Sequence, residues 1–214
     1  ETMMRHVRDI VEATDLPVSA DLENGFGDSP TKVAETIQLA SNVGLVGASI
    51  EDATNEKGDP IYEFELAVNR IRAAAEVKRS FSHSFVLTGR AENYLVGRPD
   101  LKDTIKRLQA YQEAGADVLY APGVTNKDDI ASIVHAVDKP VNVVMGLQGV
   151  KLSLVELSDI GVKRISVGSG LSRAALGAFL RAATEMLEEG TFNFSDEAVS
   201  YADISAMFAA GDGK

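Results

Sequence analysis

Phe85-Val-Leu-Thr-Gly-Arg90 is a short run, apolar on both parities, that stops at a charge. Such a run suits a strand buried on both faces. After it, Asp100–Ala114 carries a helical apolar pattern and ends at Gly115, a good helix stop. Val118-Leu-Tyr120 is again short and apolar. Strand, helix and strand in this order predict a parallel βαβ unit.

The same alternation extends in both directions. Strands are expected at Val18–Asp21, Val46–Glu51, Val141–Val144 and Ile165–Val167. Met4, Val7, Ile10 and Val11 fall at helical spacing and predict a helix over Glu1–Glu12. Ser29-Pro30 caps a helix over Thr31–Val43. Further helices are expected at Tyr62–Lys78, Asn126–Val137, Ser153–Ile160, Ser172–Glu188 and Asp196–Ala210. Six βα units imply an α/β fold with a parallel sheet. An open doubly wound sheet fits, and so does an eight-stranded barrel lacking two units. A (β/α)8 barrel needs about 250 residues. The helical start favours a modified (β/α)8 TIM barrel whose first strands are missing from this chain. Residues 1–190 are expected to form the barrel domain and 191–214 a C-terminal helical tail, frayed over Gly211–Lys214.

Composition narrows the function. The 214 residues are 45% hydrophobic and 25% charged, enough for a sizeable core. A net charge of −11 disfavours nucleic-acid binding, which needs clustered Lys and Arg. No apolar run reaches the roughly 18 residues of a membrane span, and no signal peptide is visible. A cytoplasmic protein is expected. Zero cysteines exclude disulfides, Cys-ligated zinc and thiol nucleophiles.

In parallel α/β folds chemistry sits at the carboxyl ends of the strands. The first three expected strands end in Asp21 and Glu23, in Glu51-Asp52, and in Arg90 and Glu92. Carboxylates gathered at one rim need a cation. Such oxygen donors suit Mg²⁺, with Mn²⁺ as the alternative. Arg90 can grip a substrate carboxylate in bidentate fashion. Asn142 and Ser169, at the ends of the fifth and sixth strands, are candidate substrate contacts, and Gly168-Ser-Gly170 a phosphate site at a helix start. Ala53–Asp59 is a candidate lid. His6, His83 and His135 fall away from the strand ends, no GxSxG elbow exists, and no strand contains a lysine for Schiff-base chemistry.

Taken together, Asp21-Leu-Glu23-Asn-Gly25-Phe-Gly27, Gly47-Ala-Ser-Ile-Glu51-Asp52, Thr88-Gly-Arg90-Ala-Glu92-Asn93-Tyr94-Leu95 and Ala114-Gly-Ala-Asp117-Val-Leu-Tyr-Ala-Pro-Gly123 resemble the isocitrate lyase/phosphoenolpyruvate mutase superfamily. The resemblance implies a modified (β/α)8 barrel that binds Mg²⁺ and α-oxo or α-hydroxy carboxylates and makes or breaks a C–C or P–C bond. It implies that Asp21 is the direct metal ligand, that Glu23 and Glu51 hold metal-bound waters, and that Arg90 grips substrate with Glu92 orienting it. Glu51 and Glu92 join Arg90 as candidate catalytic residues. It also implies a homodimer or homotetramer that exchanges helix 172–188. Three departures stand out. The chain lacks the lyases' cysteine, it lacks the Lys-Thr-Asn-Ser pattern of the mutases, and the family's first two strands are absent. A decarboxylase, hydrolase or mutase type is therefore expected rather than a Cys-dependent lyase. The alternative is a catalytically impaired oligomer subunit that only binds metal and oxo acid.

Overall fold

The computed structural model describes residues 2–54 and 56–211. Six parallel strands form one sheet: β1 Ser19–Asp21, β2 Gly47–Glu51, β3 Val86–Arg90, β4 Val118–Tyr120, β5 Val141–Val144 and β6 Arg164–Ser166. Their order in the sheet is their order in the chain. A doubly wound sheet would reverse direction at a switch point. Unbroken sequential order is that of a (β/α)8 barrel wall, with six of its strands present. Each expected strand is found, with ends shifted by a residue at most.

Helices cross between the strands. They are α1 Thr2–Glu12, α2 Pro30–Asn42, α3 Phe64–Lys78, α4 Leu101–Ala114, α5 Lys127–Ala136 and α6 Leu154–Asp159. Local chemistry sets their starts. Ser29, Asp100 and Asn126 each accept a backbone N–H of the first turn, and Ser153 with Glu156 forms a capping box. Helix α3 starts two residues later than expected, and the Tyr62 N–H before it donates to the Asp52 carbonyl at 2.8 Å. The core lies between sheet and helices and includes Leu22, Ile37, Ile50, Ile71, Leu87, Leu108 and Leu119.

The chain divides into two compact units, Glu1–Ser166 and Val167–Lys214. In the second, α7 (Gly170–Thr184) widens into a π turn over Glu185–Glu189. A short 3-10 helix, Asn193–Glu197, follows, then α8 (Tyr201–Gly211). The Glu185 carboxylate ties this turn by accepting from Thr191 Oγ1 and from the Asn193 and Phe194 N–H groups. The final helix thus begins at Tyr201 rather than Asp196. Of the expected terminal features, Glu1 and residues 212–214 lie outside the described residues.

Gly115 closes α4 at φ +111°, where a Cβ would also stand 2.7 Å from the Ala75 Cβ. Both strain and overpacking oppose a side chain there. Gly115→Ala is expected to lower stability by about 1–3 kcal/mol in urea unfolding.

Candidate active site

Register builds the site. Asp21 lies beside Ser49, and Glu51, two residues on, lies beside Arg90. Arg90 in turn lies beside Tyr120, and Tyr120 beside Asn142. Side chains alternate along a strand with period two, so Asp21, Glu51, Arg90, Tyr120 and Asn142 share one face of the sheet.

Arg90 is the hub. Its Nη1 donates to Asp21 Oδ2 at 2.6 Å and pairs with Glu51 Oε2 at 3.1 Å. Its Nε donates to Glu92 Oε1. Its guanidinium carbon stands 5.4 Å from the centre of the Tyr120 ring, within cation–π range. Burial lowers the proton affinity of Arg90, but Glu92, Glu51 and Asp21 outweigh it, and the group is held firmly protonated. One guanidinium does not neutralise three carboxylates. Burial first, then the charges of Glu92, Asp21 and Glu23, push Glu51 up to about 7 against the pull of Arg90. Burial likewise raises Glu92 against Arg90.

The segment after β1 is unusual backbone. Glu23 and Phe26 adopt φ of +51° and +59°, where side chains are rarely found. Glu23 is exposed; its N–H donates to Asp21 Oδ1 at 3.0 Å, and its carbonyl accepts from the Glu51 N–H at 3.0 Å. Buried Arg70 of α3 holds this segment from below. It donates to the carbonyls of Asn24, Gly27 and Asp28, and lies 4.1 Å over the Tyr62 ring. Tyr62 completes the support, donating to Asp28 Oδ1 at 2.6 Å.

A second buried network backs Glu92. Asp52 Oδ1 accepts the Glu92 N–H at 2.8 Å, while its Oδ2 accepts from Arg107 Nη1 at 3.2 Å and from the Tyr111 hydroxyl. Arg107 also reaches the Tyr62 carbonyl at 3.0 Å and Asp103 at 2.7 Å. Burial raises both Asp52 and Tyr111. The sequence reading gave no role to Asp52, Arg70, Arg107, Tyr111 or Tyr120. A signal existed for two of them. Arg70 falls in helical register with Ala67, Ile71 and Ala74, and Arg107 with Thr104, Leu108 and Tyr111, which are core-facing positions.

The other expected residues are placed as follows. Asn142 is buried; its Oδ1 accepts from Arg164 at 2.9 Å and its Nδ2 donates to Ser166 Oγ at 3.0 Å. Ser169 stands at the start of α7 in the second unit, its side chain capping nothing. The base of the expected lid is pinned by an Ala53–Ile61 bridge, while Asn55 lies outside the described residues.

The donor set suits a hard divalent cation. Asp21, Glu23 and Glu51 offer only oxygen, and the rim carries negative charge beyond what Arg90 balances. Among the described residues no three His, Cys, Asp or Glu side chains converge on one point. No helix among the described residues is long and apolar enough to cross a membrane.

Known proteins resemble this chain. The phosphoenolpyruvate phosphomutase family model matches residues 1–187. A Corynebacterium glutamicum protein named "Probable 2-methylisocitrate lyase 2" is 30% identical over 86% of this chain and 61% of its own length. The chain thus spans about three fifths of that relative. A crystal structure from Burkholderia cenocepacia J2315, described only as a lyase/mutase, is 60% identical, with TM-score 0.94 over 97% of this chain and 75% of its own. A phosphonopyruvate hydrolase, solved with oxalate and Mg²⁺, shares the fold at 23% identity, with TM-score 0.80 over 98% of this chain and 74% of its own.

Arg107 and Asp52 are 7% and 2% exposed, so Arg107→Met would strand Asp52 as a buried, uncompensated charge. Breaking such a pair costs about 3–5 kcal/mol. The expected result is a loss of that size in urea unfolding.

Proposed function

The chain belongs to the phosphoenolpyruvate phosphomutase family, within the isocitrate lyase/phosphoenolpyruvate mutase superfamily, and from that premise we propose a Mg²⁺-dependent enzyme acting on a small α-oxo or α-hydroxy carboxylate. It makes or breaks a C–C or P–C bond, as a decarboxylase, hydrolase or mutase. The supporting observation is the Arg90 guanidinium bonded to Asp21, Glu51 and Glu92 on one rim.

In this reading Asp21 holds the metal directly, and Glu23 and Glu51 hold its waters. Bound Mg²⁺ would supply Lewis-acid stabilisation of the charge that grows as the bond breaks. Arg90 binds the substrate carboxylate through its planar fork, and Glu92, bonded at Nε, fixes the plane of that fork. Glu51 and Glu92, both bonded to Arg90, are proposed as the catalytic carboxylates beside it. Asn142 is proposed as a further substrate contact. The relatives' names support the substrate class: a 2-methylisocitrate lyase, and a phosphonopyruvate hydrolase seen with oxalate and Mg²⁺.

The test is thermal stability with Mg²⁺ plus oxalate, a flat dicarboxylate. Ligand at about 100 times its dissociation constant adds about 2.7 kcal/mol. A shift is expected for the wild type, none for Asp21→Ala, and for Arg90→Lys oxalate binding at least about tenfold weaker. Oxaloacetate, phosphonopyruvate and methylisocitrate are then screened for turnover. Binding without turnover of any would favour the impaired binding subunit. Absence of any wild-type shift would overturn the reading.

We also infer a cytoplasmic homodimer or homotetramer that exchanges the 172–188 segment. Helix α7 buries none of its residues, and Leu171, Phe179 and Leu187 are exposed. Large exposed apolar side chains in series mark an interaction surface. Light scattering should find an oligomer that Phe179→Asp with Leu187→Asp converts to monomer.

A further inference from the structure

Asp52 grips the backbone on both sides of Ala91. Its N–H donates to the Arg90 carbonyl at 3.2 Å, and its Oδ1 accepts the Glu92 N–H at 2.8 Å. The pairing of β2 with β3 ends at Glu51 and Arg90, so the ladder between these strands stops short of Glu92. The Asp52 carboxylate takes the Glu92 N–H where a further ladder carbonyl would have taken it. From the β4 side the Ala91 N–H is fixed by the Tyr120 carbonyl at 2.9 Å. Glu92 is thereby delivered to Arg90, whose Nε donates to Glu92 Oε1.

The carboxylate that does this is itself anchored. Glu51 shares the rim face with Arg90, so Asp52, one residue on, turns to the opposite face. There two side chains of α4 hold its Oδ2: Arg107 Nη1 donates at 3.2 Å, and the Tyr111 hydroxyl donates to the same oxygen. Arg107 is fixed in turn by Asp103 at 2.7 Å and by the Tyr62 carbonyl at 3.0 Å. Asp52, Glu92, Arg107 and Tyr111 are all buried. Apolar side chains of similar volume would serve stability as well as this buried ion pair. They would not catch the Glu92 amide. Every link from α4 to the Arg90 guanidinium is a direct hydrogen bond between named atoms.

We propose that Asp52 is a positioning residue for oxo-acid binding: it sets Glu92, and Glu92 sets the plane in which Arg90 meets a substrate carboxylate. Two parallel N–H···O bonds demand that plane, which is why a small tilt of the guanidinium matters. The inference rests on the oxo-acid reading above and deepens it. Asp52 acts through Glu92 and has no need to touch the ligand.

The test is oxalate binding by calorimetry at saturating Mg²⁺ in the wild type, Asp52→Asn, Glu92→Ala and the double variant. Urea unfolding alongside fixes conditions in which each is folded. Asn keeps the shape of Asp52 but turns an N–H toward groups that only donate, Arg107 or the Glu92 amide. Asp52→Asn should weaken oxalate about tenfold, the worth of a hydrogen bond to a charged group. Glu92→Ala should weaken it at least as much. Members of one network are non-additive, so Asp52→Asn should cost little more once the Glu92 side chain is gone. Tyr111→Phe removes one bond to Asp52 Oδ2 and should give a smaller loss that Glu92→Ala masks in the same way; it decides the matter if Asp52→Asn does not fold. Wild-type oxalate affinity in the deciding variant would overturn this role while leaving the oxo-acid reading intact. So would losses that multiply in the double variant, which mark a general softening of the fold rather than action through Glu92. If the wild type itself binds no oxalate, the underlying reading fails and takes this inference with it.

Discussion

The rim of this sheet is governed by one charge balance. Asp21, Glu51 and Glu92 all direct carboxylate oxygens at the Arg90 guanidinium. Like charges brought this close resist joint ionisation. Arg90 offsets part of that repulsion, and Glu51 registers the remainder by rising to about 7. The arrangement persists because three strand ends deliver the groups together: Glu51 is paired with Arg90 in register, and Asp21 with Ser49, two residues before Glu51 on the same face. A surplus of anionic oxygen beside an anchored cation is poorly suited to stability alone. It is well suited to a ligand that carries both signs, as a divalent ion with a carboxylate does.

Two buried arginines keep this rim in place, and neither faces it. Arg70 ties down the carbonyls of Asn24, Gly27 and Asp28, next to the left-handed backbone of Glu23 and Phe26. Arg107 holds Asp52, which holds the Glu92 amide. Buried ion pairs seldom gain much over well-packed apolar side chains. Their better-supported use is to specify one arrangement, and here each network ends on a backbone group adjoining an acidic residue of the rim. Strained backbone survives where its surroundings over-determine it. Arg70, with three carbonyls in its grasp, meets that condition.

Much of this was legible in the sequence. Strands apolar on both parities are buried on both faces, and each was found to within a residue. Ser29, Asp100, Ser153 and Gly115 marked helix ends through local chemistry that needs no tertiary contact. Asp21, Glu51, Arg90 and Glu92 were found because strand ends in a parallel sheet converge. Less legible was what depends on long-range geometry. That Arg90 would itself be the cation for the carboxylates follows from register, which sequence leaves open. Arg70 and Arg107 owe their roles to partners more than forty residues away in the chain, which a local pattern does not show. The π turn after α7 depends on the Glu185 carboxylate reaching Thr191 and the backbone beyond it.

The polar face of the sheet divides by strand into two kinds of chemistry. On β1 to β3 the groups are charged and mutually paired, so their positions are set by Coulomb attraction to Arg90. On β4 to β6 they are mostly neutral, and their orientation is set by hydrogen-bond direction, beginning at Arg164. Charge supplies attraction with little angular preference, whereas a directed donor chain supplies angle with little net charge. Arg90 and Tyr120 are where the two meet, side by side in register.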